Sequence, residues 1–189
     1  MALQKSCMIE QKNDVLNRIT EIEYTLGSSL YHYIAYICIS KRINSIIERD
    51  LIEFWTACQN ANIQMAVQTW CKVFGSKRNN TLHFSSILDK NTEQGFYLRL
   101  ESEYGINHQC FDEYVTDMKC FRDKYIAHAD NYDKPVPYFN RAISAIYVLD
   151  SIIRESFDYP GVSWSERYPI IQEDIEASTS ILFEKHTIC

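Results

Sequence analysis

The sequence has few residues that interrupt regular structure. It contains five glycines and four prolines among 189 residues, too few for the frequent turns of an all-β sandwich. It also lacks an apolar run long enough to span a bilayer, because the longest, 31–40, includes a histidine and several tyrosines. Residues 1–12 lack the basic-then-apolar pattern of a signal peptide. We therefore expect a cytoplasmic protein without a membrane partner.

Recognisable metal and nucleotide motifs are absent as well. The seven cysteines form no CxxC pair and no ladder with histidines, which is typical of reduced thiols that serve as small apolar residues. His108 and Cys110 are two residues apart, but no second pair at ligand spacing accompanies them. No glycine-rich loop precedes a helix, so a Walker-type site is unsupported. We expect no metal and no other cofactor.

The charge narrows the choice of partners. A formal net charge of −6 argues against a broad, non-specific nucleic-acid surface. It is compatible with a small local site for a phosphate group. The adjacent cations Lys77 and Arg78, in a polar loop, are candidates for contacting such a phosphate, although a solvated loop explains them better.

What the chain does have is apolar residues at helical spacing, in a composition that is 46% hydrophobic. This predicts one all-α domain over 1–189, a bundle of about five main helices with a short extra helix. The long helices are expected at about 9–47, 50–74, 108–129, 138–157 and 165–185, with shorter helical pieces at 82–88 and 93–104. Pro135 and Pro137 lie in the loop after the 108–129 helix and prevent its continuation, since proline cannot continue a helix.

Several local signals refine these helices. The Gly27-Ser28-Ser29 segment either bends the first helix or lets another helix approach closely. Gly105 and Asn107 are expected to end one helix and cap the next, and Asn91-Thr92 to cap the one before them. The buried stripe of the second helix is expected to include Leu51, Phe54, Trp55, Cys58, Met65, Thr69 and Val73.

The densest group of reactive side chains is at residues 122–128, near the end of the helix at 108–129. On a helical wheel, Phe111, Val115, Met118, Phe121 and Tyr125 form one apolar stripe, with Arg122 and His128 on its two borders. The two border residues are about 120° apart and about 9 Å apart along the axis. They therefore converge only if the helix loosens before His128, or if a second copy of the chain brings its own histidine close.

This group also has a purely structural interpretation. Arg122 and Lys124 near a helix C-terminus compensate the helix dipole, and His128 there can donate to a last-turn carbonyl. Tyr125 is better explained as a core residue than as a site residue. Taken without any further signal, the residues favour these structural interpretations over a chemical role.

Residues 122–128 (Arg-Asp-Lys-Tyr-Ile-Ala-His) resemble the motif of the HEPN superfamily, which is an arginine, a polar residue, a spacer and a histidine. Residues 70–76 (Trp-Cys-Lys-Val-Phe-Gly-Ser) are similar to the tryptophan–lysine–phenylalanine–glycine segment of the abortive-infection U-type (AbiU-like) members. The resemblance covers about 50–130. It implies a helical bundle that pairs through the motif helix into a homodimer and, in active members, cuts RNA without metal. It also implies a place in phage defence or a toxin–antitoxin system, with an antitoxin or larger defence protein as a further partner.

The resemblance implies roles for individual residues. His128 would transfer protons, because the reference pKa of histidine is about 6.5. Arg122 would stabilise charge on the phosphate, and Asp123 would orient Arg122 or the histidine of a second copy. Lys124, Tyr125, Lys77 and Arg78 would contact the substrate. The alternative is an inactive HEPN-type module that dimerises or docks onto a larger assembly.

Overall fold

Six α-helices follow one another in the computed structural model, which describes residues 2–46, 49–127 and 135–184. They are α1 (Ala2–Arg42), α2 (Arg49–Phe74), α3 (Lys90–Tyr104), α4 (His108–Phe121), α5 (Asn140–Phe157) and α6 (Trp164–Glu184). These ranges contain no strand, which confirms the all-α fold. Within them no helix is long and apolar enough to cross a membrane. The six helices of the described ranges agree with about five main helices and a short extra one, and the piece expected at 93–104 is a helix of 15 residues, α3.

The ends of α3 and α4 show which of the predicted helix caps are correct. Gly105 adopts a left-handed φ of 68° at the end of α3, and the Asn107 side chain accepts a hydrogen bond from the Cys110 backbone N–H at the start of α4, both as predicted. The predicted cap at Asn91-Thr92 is wrong. Asp89 caps α3 instead, accepting from the Thr92 backbone N–H at 2.8 Å, and an aspartate at this position satisfies a free helix-end donor well.

The core centres on the C-terminal half of α2. A group of buried aromatic rings joins α2 to α3, α4 and the 3₁₀ turn at Phe84–Ser86, and its members are Trp70, Phe74, Phe84, Phe96 and Phe111. The predicted stripe of α2 is wrong for Phe54 and Met65, which are 58% and 40% exposed. The buried residues of α2 all lie within 63–74. The first half contacts α6 through Trp55 and α1 through Gln59, but these residues stay partly exposed.

The first helix runs unbroken past Gly27, and the glycine serves close packing. A Cβ at Gly27 would overlap Cη2 of Trp164 and lie 2.7 Å from its Cζ2. Trp164 is the first residue of α6 and is buried. It cannot move aside easily, because its indole N–H donates to Glu23 Oε2 at 2.9 Å and its backbone N–H donates to Asp150 Oδ2 at 2.9 Å. The glycine therefore allows α6 to begin directly against α1.

We expect Gly27→Ala to lower the free energy of unfolding. Overpacking of a well-filled core costs about 1–3 kcal/mol, which exceeds the gain of about 1 kcal/mol from helix propensity. Urea unfolding measures the difference. The matched control is Gly95→Ala in α3, where a Cβ meets nothing within 4 Å and the same substitution should stabilise the protein by about 0.5–1 kcal/mol. Equal effects at both glycines would contradict the packing role of Gly27.

A buried cluster of charged groups holds α1, α5 and α6 together. Arg154 lies 2.8 Å from Asp150 (Nε to Oδ1) and 3.7 Å from Glu23 (Nη2 to Oε2). The guanidinium also donates to the carbonyl oxygen of Gly161 at 2.8 Å and of Val162 at 3.0 Å, in the connection that leads to α6. Two carboxyl groups thus face one cation. Burial, followed by the charge of Asp150, raises the pKa of Glu23 from 4.5 to about 7.

Candidate functional site

The helix that carries the motif changes its winding at Arg122. The α-helix α4 ends at Phe121, and Arg122–Ala127 continue as a π-helix. A π-helix bonds residues five apart, so it has more residues per turn than an α-helix and is frequent at functional sites. The helix thus widens before His128, which is one of the two routes by which Arg122 and His128 were expected to converge. His128 itself and the side chain of Tyr125 lie outside the described residues.

Arg122 is held by the next residue along the chain. Its Nε and Nη2 atoms each lie 2.7 Å from Asp123 Oδ1, and its side chain is 30% exposed. The guanidinium is therefore oriented while part of it still faces solvent. Orienting Arg122 is one of the two roles predicted for Asp123. Lys124 is exposed on the same segment.

Arg122 forms part of the wall of a pocket of about 440 Å³. The rest of the wall comes from the last turns of α2 and from the loop after it. The lining residues are Gln68, Cys71, Lys72, Ser76, Arg78, Asn80 and Arg122. Three of them are cationic, and none of the described lining residues is acidic. Residues of both segments that carry the family resemblance therefore line this pocket, Cys71, Lys72 and Ser76 from 70–76 and Arg122 from the other.

The aromatic core fixes the end of α2, which supplies three of the seven lining residues. Trp70 and Phe74 are buried and stack with their ring centroids 4.9 Å apart. The Trp70 indole N–H donates to the carbonyl oxygen of Ala142 in α5 at 3.4 Å. Lys72 lies between these two anchors in sequence and is exposed. Since the anchors set the rotation of the helix, they also set the direction of Lys72.

Gly75 turns the chain out of α2 and into the loop. Its backbone N–H donates to the carbonyl oxygen of Cys71 at 3.0 Å. A Cβ at this position would overlap that same oxygen and lie 3.2 Å from the carbonyl carbon. The φ of Gly75 is not in the left-handed region, so close approach, and not a left-handed cap, explains the glycine. The turn brings Arg78 back beside the helix end.

Asn80 then ties the loop to the helix. Its side-chain amide donates to the carbonyl oxygens of Lys72 at 2.7 Å and Ser76 at 3.0 Å, and its Oδ1 accepts from the backbone N–H of Leu82 at 3.1 Å. Carbonyl oxygens at a helix C-terminus carry partial negative charge that disfavours an anion. Because Asn80 satisfies one of them, the carbonyl of Lys72, together with that of Ser76 just beyond the helix, the pocket beside the helix end keeps its positive character.

The Cys71 thiol in this wall is not a reactive group. The residue is 2% exposed, and burial raises the pKa of its thiol to about 12. The charges of Arg122 and Lys119 act in the opposite direction but do not outweigh burial. The thiol thus stays protonated at neutral pH, and a thiol, unlike a thiolate, is a poor nucleophile. Cys71 is a small packing residue.

The structure separates the two adjacent loop cations. Arg78 lines the pocket, whereas the Lys77 ammonium lies 3.7 Å from Glu93 in α3.

Sequence reasoning missed Lys72, Gln68, Ser76 and Asn80 as site residues. The sequence did contain a signal for Lys72. Lys72 lies three residues before the helix-ending Gly75, and Arg78 lies three residues after it. A turn at such a glycine brings both flanks to one side.

Neither a family model, nor a curated protein, nor a solved structure matches this chain. The HEPN resemblance therefore stays a prediction, and the chemistry of the site has to be argued from its own side chains. Lys72, Arg78 and Arg122 offer positive charge, and Ser76 and Gln68 offer hydroxyl and amide donors. This combination suits an anionic group with several oxygens, above all a phosphate.

Proposed function

We propose that the protein is a HEPN-like, metal-independent endoribonuclease. The observation that supports this best is that Arg122 lies at a cation-lined pocket, on a π-helical segment that leads directly to His128. RNA carries a phosphate at every nucleotide and a 2′-hydroxyl beside each phosphate. A pocket that accepts phosphate and is followed closely in the chain by a histidine has the main groups for cleaving that backbone.

The reaction uses a nucleophile that the substrate supplies. The 2′-oxygen attacks the adjacent phosphorus and loses its proton to a base, while the bond from phosphorus to the 5′-oxygen breaks and that oxygen takes up a proton. The products are a 2′,3′-cyclic phosphate and a 5′-hydroxyl. His128 serves as the general acid or base. Arg122, oriented by Asp123, stabilises the negative charge that builds up on the phosphate oxygens.

The proposal includes a homodimer formed through the motif helix. A single reaction needs one proton removed and another delivered, and each chain has one motif histidine. Two copies related by a twofold axis would place two histidines and two arginines around one cleft. We further propose that the enzyme acts in the cytoplasm as a toxin or phage-defence effector, restrained by an antitoxin or a larger defence protein.

The direct test is cleavage of a single-stranded RNA by the purified full chain in the presence of EDTA. We expect fragments that end in a 2′,3′-cyclic phosphate, which mass spectrometry identifies. The matched control substrate has the same sequence with one 2′-deoxynucleotide, and cleavage should disappear at that position alone. Intact RNA under all conditions, or unchanged cleavage after the 2′-deoxynucleotide, would contradict the proposal.

One observation favours a second candidate function. The Arg122 guanidinium is already paired with Asp123 inside the same chain, as is typical of an arginine that stabilises structure. A non-catalytic HEPN-type module that dimerises or docks onto a larger assembly would use the motif in this way. Intact RNA together with a stable dimer in sedimentation would support this module over the enzyme.

A further inference from the structure

The geometry points to a second phosphate subsite at Lys72 and Arg78, which bind the backbone phosphate next to the one that is cleaved. This inference rests on the proposed ribonuclease function, because it assigns two ligands within the same site. It gives Lys72 a binding role. It also restricts the preferred substrate to an RNA that extends at least one phosphate beyond the cleavage point.

The first support is that no carboxylate within the described part of the chain pairs with either of these two cations. The chain has 25 acidic residues and 19 lysines and arginines, so carboxylates are plentiful. Arg49, Lys77 and Arg99 each lie beside one. Among the described residues, neither Lys72 nor Arg78 has a carboxylate within 4.0 Å. Two such cations facing one pocket are suited to an anion from outside.

The second support is that Arg122 and the two other cations belong to different walls. Arg122 comes from the π-helical segment and is oriented by Asp123. Lys72 is in α2, and Arg78 is in the loop that follows it. At about 30 Å³ for each water, a pocket of about 440 Å³ holds roughly fifteen waters. That is more room than a single phosphate group needs.

The third support is that contacts within the protein already hold the part of the pocket wall that carries Lys72 and Arg78. Asn80 holds the loop to the end of α2 through its bonds to Lys72 and Ser76. Buried Trp70 and Phe74 hold the helix itself. Binding then requires ordering only the ends of two side chains, and such preorganisation raises affinity because little conformational freedom is lost.

The test measures binding of a short fluorescent single-stranded RNA by anisotropy, with His128→Ala protein so that the RNA survives. Removing one charge-assisted hydrogen bond costs about 1.5 kcal/mol at the lower end of its range, so Lys72→Gln and Arg78→Gln should each weaken binding about tenfold. Each should also reduce the slope of log Kd against log salt concentration by about 0.7, the value for one phosphate contact on a single strand.

Two control variants separate a defined subsite from general charge. Arg49→Gln removes the same charge at the opposite end of α2, roughly 35 Å from Lys72 at 1.5 Å per residue, and should leave affinity and slope unchanged. Lys77→Gln removes the charge next to Arg78, but its ammonium faces Glu93, so it should lose less affinity than Arg78→Gln. Equal losses in all four variants would overturn the subsite.

The remaining outcomes are also decisive. Tenfold losses confined to Lys72→Gln and Arg78→Gln would support the subsite. Unchanged RNA affinity in these two variants would overturn it, even if they no longer bind inorganic phosphate in a parallel titration. Because binding is measured without cleavage, the two proposals can fail separately. If RNA is not cleaved but its binding depends on Arg78, only the proposed enzyme activity is contradicted. If RNA is cleaved but its binding does not depend on Arg78, only the proposed subsite is contradicted.

Discussion

Replacing His128 with alanine is expected to lower the rate of RNA cleavage by about 10²- to 10⁴-fold, the usual contribution of a general acid or base. In the proposed mechanism, alanine removes the group that transfers protons and leaves the pocket at Arg122 in place. RNA affinity should therefore change much less than the cleavage rate. Single-turnover cleavage measures the rate, and fluorescence anisotropy measures the affinity of the same preparation. Thermal unfolding by circular dichroism verifies that the variant is folded.

The matched control is His108→Ala. His108 is exposed at the start of α4 and stacks on Tyr97 with a centroid distance of 3.7 Å, well before the motif segment in the chain. This variant should cleave at the parent rate. Adding imidazole should restore part of the activity of His128→Ala protein, because a free base can replace the missing side chain. Cleavage by the His128→Ala protein at the parent rate would contradict the role of His128 as general acid or base.

Replacing Glu23 with glutamine is expected to change how stability depends on pH. The pKa of Glu23 is about 7 in the folded protein and 4.5 in the unfolded chain. Between these values the folded state keeps the proton and the unfolded state releases it, so the contribution of Glu23 to stability is greatest below pH 4.5. It declines as pH rises and is fully lost above pH 7. The difference corresponds to about 3 kcal/mol.

Glutamine has no proton to lose, so the Glu23→Gln protein lacks this decline. The free energy of unfolding of the variant, minus that of the parent, should rise by about 3 kcal/mol between pH 4.5 and pH 8. Urea unfolding at a series of pH values measures this difference. The control is Glu21→Gln, the same substitution at an exposed position on α1, whose profile should run parallel to that of the parent. Parallel profiles for Glu23→Gln and the parent would rule out the raised pKa.

Much of the helical framework follows from local sequence signals. The step of three and four between apolar residues predicts α2, α5 and α6 to within about two residues of their observed ends, whereas α1, predicted at about 9–47, runs from Ala2 to Arg42. Gly105 and Asn107 separate α3 from α4 through a left-handed turn and a side-chain cap, both of which depend only on neighbouring residues. The prediction of a cap at Asn91-Thr92 was wrong because several polar residues near this helix start could act as the N-cap. Backbone geometry determines that Asp89 is the one that does.

The burial of α2 shows where local reasoning fails. A helical wheel treats every turn of a helix as equally covered. Here Phe54, in the first half of α2, is exposed while Ile63 and Val67 are buried, since α3, α4 and the Phe84 turn gather around the second half of the helix. Met65 lies in that second half and is nevertheless exposed. Which apolar residues are covered depends on neighbours far away in the sequence.

The sequence by itself determined an all-α protein and singled out residues 122–128, because helix periodicity, caps and motif spacing are properties of adjacent residues. Only the tertiary structure brought Arg122 to one pocket with Lys72 and Arg78, paired Lys77 with Glu93, and placed Glu23 beside Asp150 and Arg154. These arrangements depend on how helices distant in the chain pack and on where a turn at Gly75 returns the backbone. No periodicity within a single segment encodes them.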